Sequence, residues 1–220
     1  MRNIKISPGE YYHIFNRGVN KQLIFGEDRD RVRFLFLILY FQSKLVFSNI
    51  VRCVKYYVQH RVFNIDTEVI KEVVQNREIE LVAFCLMPNH FHLILKELEP
   101  GGIGRYMQRV LNSYTKYFNT KYKKSGHLMS GPYKAVHVKD NRQLLHLSAY
   151  IHRNPRELKE WLNKERKYVW SSYMDMVGEC RWGDLLAHKI VTGQFDQKIT
   201  YENFVKTSPA KRLKEEFDMT

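Results

Sequence analysis

Short, strongly apolar segments bounded by turn signals predict four β-strands in this chain. They are residues 10–16 (EYYHIFN), 78–87 (EIELVAFCLM), 90–96 (HFHLILK) and 134–138 (KAVHV). Only Pro88-Asn89, a pair typical of turns, separates the second segment from the third. These two strands are therefore expected to form a hairpin.

Longer segments predict helices. An acidic start followed by dense apolar residues predicts a buried helix at 28–42, and helical pieces are expected at 51–59 and 67–76. After Pro100-Gly101-Gly102, apolar residues at helical spacing predict an amphipathic helix over about 103–118. A helix at 141–153 is expected to end at Asn154-Pro155, because the residue before a proline is steered out of the α region.

The order of these elements is β-α-(insert)-β-β-α-β-α, which resembles a ferredoxin-like α+β domain. Such a domain has an antiparallel sheet with helices packed on it. Residues 43–78 are mixed and basic, and are interpreted as a segment inserted into this order. Beyond residue 175 the sequence predicts a small, basic, mainly helical C-terminal appendage.

Composition limits the class of protein. The chain has 220 residues, 44% of them hydrophobic and 27% charged, which is typical of a globular protein with a sizeable core. The longest apolar run, residues 34–41, is too short to span a membrane, and the N-terminus does not resemble a secretory signal. Three widely spaced cysteines without a CxxC pair favour a reduced, cytoplasmic protein over a disulfide scaffold or thiolate metal site.

Charge indicates the kind of partner. Lys and Arg number 36 against 23 Asp and Glu, giving a formal net charge of +13. Such an excess attracts polyanions. The chain also has 14 tyrosines, some of which could stack on unpaired bases.

His90-Phe91-His92 is the sharpest local signal. Side chains alternate between faces along a strand, so the two imidazoles are expected on one face and Phe91 in the core. Two histidines so placed can share a divalent cation. A buried histidine pair is also costly unless something uses it.

Polar residues on the helix at 141–153 form a second cluster. Gln143, His146, Tyr150 and Asn154 fall within one narrow arc, apart from the apolar stripe that marks the core face. A tyrosine phenol can act as a nucleophile toward phosphorus when a cation or base favours the phenolate. An amide oxygen one turn away could be a metal ligand beside it.

Several segments together resemble a known family. CLMPNHFHLIL (85–95), with YHIFNRG (12–18) upstream and YIHRNP (150–155) downstream, is similar to the single-tyrosine HUH transposases. The closest resemblance is to the REP-associated tyrosine transposases, relatives of the insertion-sequence-200-like enzymes. It includes GHLMSGPYKAVHV (126–138) and WSSY (170–173), and runs over about residues 8–175. We therefore expect a transposase-like domain at 1–175, with the insert at about 43–78, and an extension at 176–220.

The resemblance implies roles for particular residues. His90 and His92 would be the paired histidine ligands of Mg²⁺ or Mn²⁺, Tyr150 the nucleophile and Asn154 the third ligand. Many relatives carry Gln at this last position, and Asn is shorter.

The implied activity is cleavage and rejoining of single-stranded DNA through a 5′-phosphotyrosine link. The substrate would be single-stranded or hairpin DNA. Arg17, Lys134 and Arg153 are predicted phosphate contacts. The chain is expected to act as a monomer or homodimer.

Two other functions stay open from the sequence. One is a non-catalytic nucleic-acid-binding protein derived from such an enzyme. The other is a zinc-dependent hydrolase or structural zinc protein, although neither an HExxH motif nor a thiolate pair is present. Tyr114 and Tyr117 are rival nucleophiles. His13, His137 and His146 could contact DNA or a metal, although a packing or surface role is favoured for each.

Overall fold

A four-stranded antiparallel sheet forms the centre of the protein. The computed structural model describes residues 4–45, 50–63, 66–196 and 200–209. The strands are β1 (Tyr11–Arg17), β2 (Ile79–Met87), β3 (His90–Glu97) and β4 (Lys134–Val138), arranged in the order β2-β3-β1-β4. Each neighbouring pair is antiparallel. With a helix after β1 and another after β3, this is the predicted ferredoxin-like topology, and the prediction is confirmed.

Five helices lie close to their predicted positions, and three short helices follow them. They are α1 (Asp28–Tyr40), α2 (Ile50–His60), α3 (Thr67–Gln75), α4 (Gly102–Tyr122), α5 (Asn141–Arg153), α6 (Tyr173–Val177), α7 (Lys189–Thr192) and α8 (Tyr201–Thr207). Short 3₁₀ turns connect several of them, including Asn154–Glu157 directly after α5. Only α4 is clearly longer than the sequence indicated: it continues to Tyr122 and ends where Lys123 adopts a left-handed conformation.

The two faces of the sheet carry different helices. Phe91 points toward α1, where its ring lies 5.0 Å from that of Phe34. His92, the next residue of β3, points to the opposite face, where its ring lies 5.7 Å from that of Tyr150 on α5. Since α1 also contacts α4 through Phe34 and Tyr114, α1 and α4 cover one face and α5 covers the other.

The start of α5 is fixed by a side-chain cap. Asp140 precedes the helix in an extended conformation, and its carboxylate accepts a hydrogen bond of 2.7 Å from the backbone N–H of Gln143. The Gln143 side chain accepts in turn from the backbone N–H of Lys139, at 2.6 Å. Because the cap directly follows β4, it fixes which side of α5 faces the sheet.

Residues beyond 175 contribute to the main hydrophobic core. Trp182 is fully buried, and its ring lies 6.4 Å from Phe84 of β2 and 4.5 Å from Phe63, which follows α2. Its indole N–H donates to the carboxylate of Asp175 at 3.0 Å. The domain boundary at residue 175 stays a prediction from the sequence.

None of the helices in the described ranges is long and apolar enough to cross a membrane.

Candidate active site

A cleft of about 480 Å³ opens where β1 ends and β3 begins. It is lined by residues from β1 and the turn after it (Phe15, Asn16, Arg17, Gly18, Asn20, Lys21), from β3 (His90, Phe91, His92), from β4 and the loop before it (Ser130, Lys134), and from α5 and the 3₁₀ turn after it (Tyr150, Asn154, Glu157). The sequence-predicted metal ligands and nucleophile therefore line a single cleft. Two of the three predicted phosphate contacts, Arg17 and Lys134, line it with them.

Hydrogen bonds orient the imidazole of His90. Its Nδ1 lies 2.7 Å from Oδ1 of Asn89, while the amide nitrogen of Asn89 donates to the carbonyl of Lys21 at 3.2 Å. Because the Asn89 oxygen can only accept, Nδ1 of His90 must carry the proton. The neutral ring then has its lone pair on Nε2, which is the nitrogen suited to bind a metal.

His92 is oriented by a second histidine. Nδ1 of His92 lies 2.8 Å from Nε2 of His13, and both side chains are buried. The two rings are nearly parallel, with centroids 5.1 Å apart. If Nε2 of His92 held a metal, its Nδ1 would keep the proton and donate to His13. Metal-ligating histidines commonly donate their other ring N–H in this way, which fixes ring orientation and raises basicity.

The ring of Tyr150 contacts His13 and His92, which are both buried. Its ring is edge-on to both of them, with centroids 5.7 Å from His92 and 6.2 Å from His13. Asn154 follows one turn later, is buried, and donates from its amide to the Tyr150 carbonyl at 3.0 Å. That bond directs the amide nitrogen toward the helix, so Oδ1 is the Asn154 atom that could serve as a ligand.

The rest of the polar arc on α5 has a structural use. Gln143 helps to cap the helix, as described above, and His146 bonds through Nδ1 to the hydroxyl of Ser208 at 3.0 Å. Neither residue lines the cleft. Only Tyr150 and Asn154 of the predicted arc are brought to the histidine pair.

A tight turn presents the basic residues at the end of β1. Gly18 is required there, because a Cβ at this position would lie 2.3 Å from the carbonyl oxygen of Gln22. Asn20 and Lys21 both adopt positive φ angles, of 51° and 59°. The turn places exposed Arg17 and Lys21 along the cleft, which exposed Lys134 also lines.

Arg153 has a different environment. It does not line the cleft, and its guanidinium donates to the backbone carbonyl of Ser208, just after α8. In this structure Arg153 ties the C-terminal segment to α5. Its predicted contact with DNA stays a prediction.

A buried chain of hydrogen bonds joins α5 to α8. The hydroxyl of Tyr201 donates to Ser148 at 2.9 Å and bonds Nδ1 of His152 at 2.7 Å, while Nε2 of His152 bonds Ser172 at 2.9 Å. Burial lowers the pKa of His152 to about 3, so the ring is neutral and can donate at Nδ1 and accept at Nε2. Ser172 also accepts from the backbone N–H of Phe84 on β2. The chain thus connects the sheet, α5 and α8 through residues on either side of Tyr150.

Some residues of the site were missed by sequence reasoning. The sequence favours a packing or surface role for His13 and marks Asn89 only as part of a turn, yet each bonds one histidine of the pair. Lys21 and Glu157 line the cleft without having been predicted. Alternation along β1 could have put His13 on the same face as Phe15 and Arg17. The contact of His13 with His92 depends on strand register, in which Phe15 is the residue paired with His92.

Residues 40–154, just over half of the chain, match the sequence family described as "Transposase IS200 like". The matched range contains the histidine pair, Tyr150 and Asn154. The chain belongs to the IS200-like transposase family. The predicted resemblance to these transposases is confirmed, and membership implies a DNA-processing enzyme.

A solved structure that is similar to this chain is described as a REP-associated tyrosine transposase bound to a REP hairpin. The two chains are 14% identical, and the similarity covers 81% of this chain and 85% of that one, with a TM-score of 0.49. A comparison with curated proteins gives no match.

The bond from His13 leads to a prediction for metal binding by this transposase. His13→Ala is expected to weaken Mn²⁺ binding roughly 10- to 100-fold, because His92 loses the partner that orients it. The measurement is Mn²⁺ titration of the DNA-free protein by electron paramagnetic resonance.

His137→Ala is the matched control, since His137 lies on β4 and bonds Glu10 instead. His13→Gln keeps a polar partner and covers the case that the alanine variant is unstable. Wild-type affinity in both His13 variants would contradict the assignment.

The link from α8 leads to a second prediction. Tyr201→Phe is expected to slow DNA cleavage at saturating DNA by about tenfold while leaving DNA affinity unchanged, because α5 is less firmly held and a small displacement of a reacting group is costly. Single-turnover rates and dissociation constants would be measured side by side. Tyr106→Phe also removes a buried hydroxyl, one that donates to Ile38 on the other face, and so controls for lost stability. Equal loss of rate in both variants would refute a specific role of α8.

Proposed function

We propose that this transposase cleaves and rejoins single-stranded DNA, with Tyr150 as the nucleophile and a divalent metal bound beside it. The observation that carries the proposal is the position of the Tyr150 ring, edge-on to His92 in a cleft with three exposed cationic side chains. The arrangement joins a nucleophile, a pair of metal-binding side chains and positive charge for phosphates. These are the components needed for attack on a phosphodiester.

The side chains fit a Mg²⁺ or Mn²⁺ ion. His90 and His92 would bind it through Nε2, since the Nδ1 atom of each ring is engaged by Asn89 or His13. Asn154 would add an amide oxygen, and the substrate phosphate would add further oxygens, which hard cations prefer. When bound, the metal supplies positive charge that offsets the negative charge developing on the phosphate oxygens.

The reaction balances without an external energy source. The Tyr150 phenol loses its proton and its oxygen forms a bond to the scissile phosphorus, while the bond from phosphorus to the 3′-oxygen breaks. The 3′-oxygen takes up a proton and leaves as a hydroxyl, and the 5′ side stays attached as a phosphotyrosine. Attack by the same or another 3′-hydroxyl reverses these steps. One phosphodiester bond is exchanged for another at each step.

Single-stranded or hairpin DNA is the substrate that suits the cleft. Arg17, Lys21 and Lys134 can contact phosphates, and the half-buried ring of Phe15 lies within 5.9 Å of the Lys134 ammonium. An unpaired strand can turn its scissile phosphate toward Tyr150 and expose its bases for stacking. Tyr150, Asn154 and the two histidines of the same chain line this one cleft.

The rival tyrosines have less suitable surroundings. Tyr114 is fully buried, donates to the carbonyl of Ile24, and has a pKa raised well above the usual value by burial. Burial, with a hydrogen bond to Asp30, raises the pKa of Tyr117 to about 12. Both side chains lie on the α1/α4 side of the sheet, away from the histidine pair. These features favour Tyr150 as the nucleophile.

A zinc enzyme has less support. In the part of the chain that the structure describes, no three His, Cys, Asp or Glu side chains are grouped so that they could hold a metal ion. Zinc sites usually use three or four such ligands. The pair of histidines completed by amide and phosphate oxygens suits Mg²⁺ or Mn²⁺ better. A non-catalytic DNA-binding protein would use the same cleft, and only the following experiment separates it from the enzyme.

Tyr150→Phe is expected to abolish covalent attachment to DNA while leaving DNA binding nearly unchanged, because only the reacting hydroxyl is removed. The assay incubates the protein with Mn²⁺ and a library of hairpin-ended single-stranded DNA, and detects adducts by denaturing electrophoresis. EDTA is expected to prevent the adduct in the wild type.

Tyr114→Phe is the matched control, and it should form adducts at the wild-type level. An adduct that persists in Tyr150→Phe would contradict the assignment. A wild-type protein that binds the library but never forms an adduct would favour the non-catalytic reading.

A further inference from the structure

A second groove, with one cationic wall, lies on the other side of the sheet from Tyr150. It has a volume of about 550 Å³ and is formed by α1, α2 and α4. We call it the cationic groove and define it by Arg29 and Arg33 of α1, Val51 and Val54 of α2, and Lys116 and Lys121 of α4. None of the residues that line it is acidic; the others are Ser113, Tyr117 and Thr120.

Arg33 is the most unusual residue of the groove. Its Nε atom is buried and has no hydrogen-bond partner among the described residues. Burial lowers the pKa of its guanidinium, and the ring of Tyr117, 5.5 Å away, is its neighbour. A buried charged donor without an acceptor is costly, and an anion held in the groove beside this guanidinium would offset part of that cost.

The other half-buried arginines of these helices have different surroundings from Arg33. Arg109 of α4 donates to the carbonyls of Ser43 and Leu45, at 2.6 and 3.1 Å. Arg31 of α1 also has a buried Nε without a partner, but its guanidinium stacks over Trp170, away from the groove. Arg33 therefore differs in being desolvated beside an open groove that carries further cations.

The remaining cations differ in how they are neutralised. Lys121 forms ion pairs with Glu27 and Asp30. Arg29 and Lys116 are exposed, on α1 and α4 respectively. Across from them, α2 contributes Val51, which is 63% exposed, and buried Val54. The groove thus offers net positive charge along one wall and an apolar surface along the other.

From this chemistry we propose that the cationic groove is a second phosphate-binding site, which takes the sugar–phosphate backbone of the DNA whose scissile phosphate lies in the Tyr150 cleft. Guanidinium and ammonium groups match phosphate oxygens, and the apolar wall suits the sugar rings between them. The proposal rests on the proposed function for the identity of the DNA. It also gives the insert a role, because α2 supplies the wall that turns a surface patch into a groove.

Because of the position of the groove, only DNA of sufficient length can bind both sites. The sheet and the layer of α1 and α4 separate the groove from the Tyr150 cleft, and a helix layer packed on a sheet is about 10 Å thick. A short oligonucleotide held in the cleft cannot reach the groove. Only a longer DNA that passes around the edge of the sheet contacts both sites.

The test compares charge-neutralising variants on DNA of two lengths. Arg29→Gln/Lys116→Gln removes the two exposed cations, and changes at exposed positions leave folding nearly unaffected. Lys71→Gln/Lys189→Gln is the control, with the same loss of charge at exposed positions outside both sites. The probes are a labelled DNA hairpin with a random-sequence single-stranded flank, and a single-stranded tetranucleotide. Affinity is measured across a salt titration.

The groove variant is expected to bind the hairpin roughly tenfold more weakly at low salt, with a slope of log affinity against log salt that is smaller by about 2. Its tetranucleotide affinity and its adduct formation at saturating DNA should equal those of the wild type. Arg33→Gln should weaken hairpin binding similarly.

A groove variant with the same hairpin affinity and salt slope as the control would overturn the proposal. So would equal losses on the two probes, which would indicate a general charge effect. Failure of Tyr150 as nucleophile would instead appear as an adduct in Tyr150→Phe, and it would leave the result for the groove intact.

Discussion

Alternation of side chains along β3 is the constraint on which the site depends. Phe91 must enter the core against Phe34 of α1, and this commits His90 and His92 to the opposite face. Burial of an aromatic ring thereby fixes the direction of two polar rings. A shift of register by one residue would bury the histidines under α1 and expose Phe91, so core packing and site geometry are specified together.

The histidine pair and Tyr150 are each held by partners outside the cleft. Asn89 and His13 bond the Nδ1 atoms of the pair, and the α5 helix is held by the sheet on one side and by Tyr201 of α8 on the other. Such support places reacting groups without relying on the substrate. The C-terminal segment therefore acts as part of the scaffold of the site, through buried bonds at Ser148 and His152.

Much of the fold was predictable from the sequence, because strand and helix patterns are local. The hairpin, its histidine pair and the helix that carries Tyr150 follow from apolar periodicity and from Pro88-Asn89 and Asn154-Pro155. The approach of α5 to the hairpin, the bond between His13 and His92, and the turn of Arg153 toward Ser208 could not be predicted. Each depends on contacts between residues at least 55 positions apart, which local patterns do not encode.

Covalent linkage of Tyr150 to DNA is tested most directly by identifying the residue that carries the nucleotide. The adduct formed with Mn²⁺ and hairpin-ended DNA would be digested with nuclease and trypsin and sequenced by mass spectrometry. If Tyr150 is the nucleophile, a nucleotide is joined through its 5′-phosphate to peptide 143–153, whose one tyrosine is Tyr150. A nucleotide on peptide 110–116, which carries Tyr114, or on peptide 117–121, which carries Tyr117, would contradict this assignment.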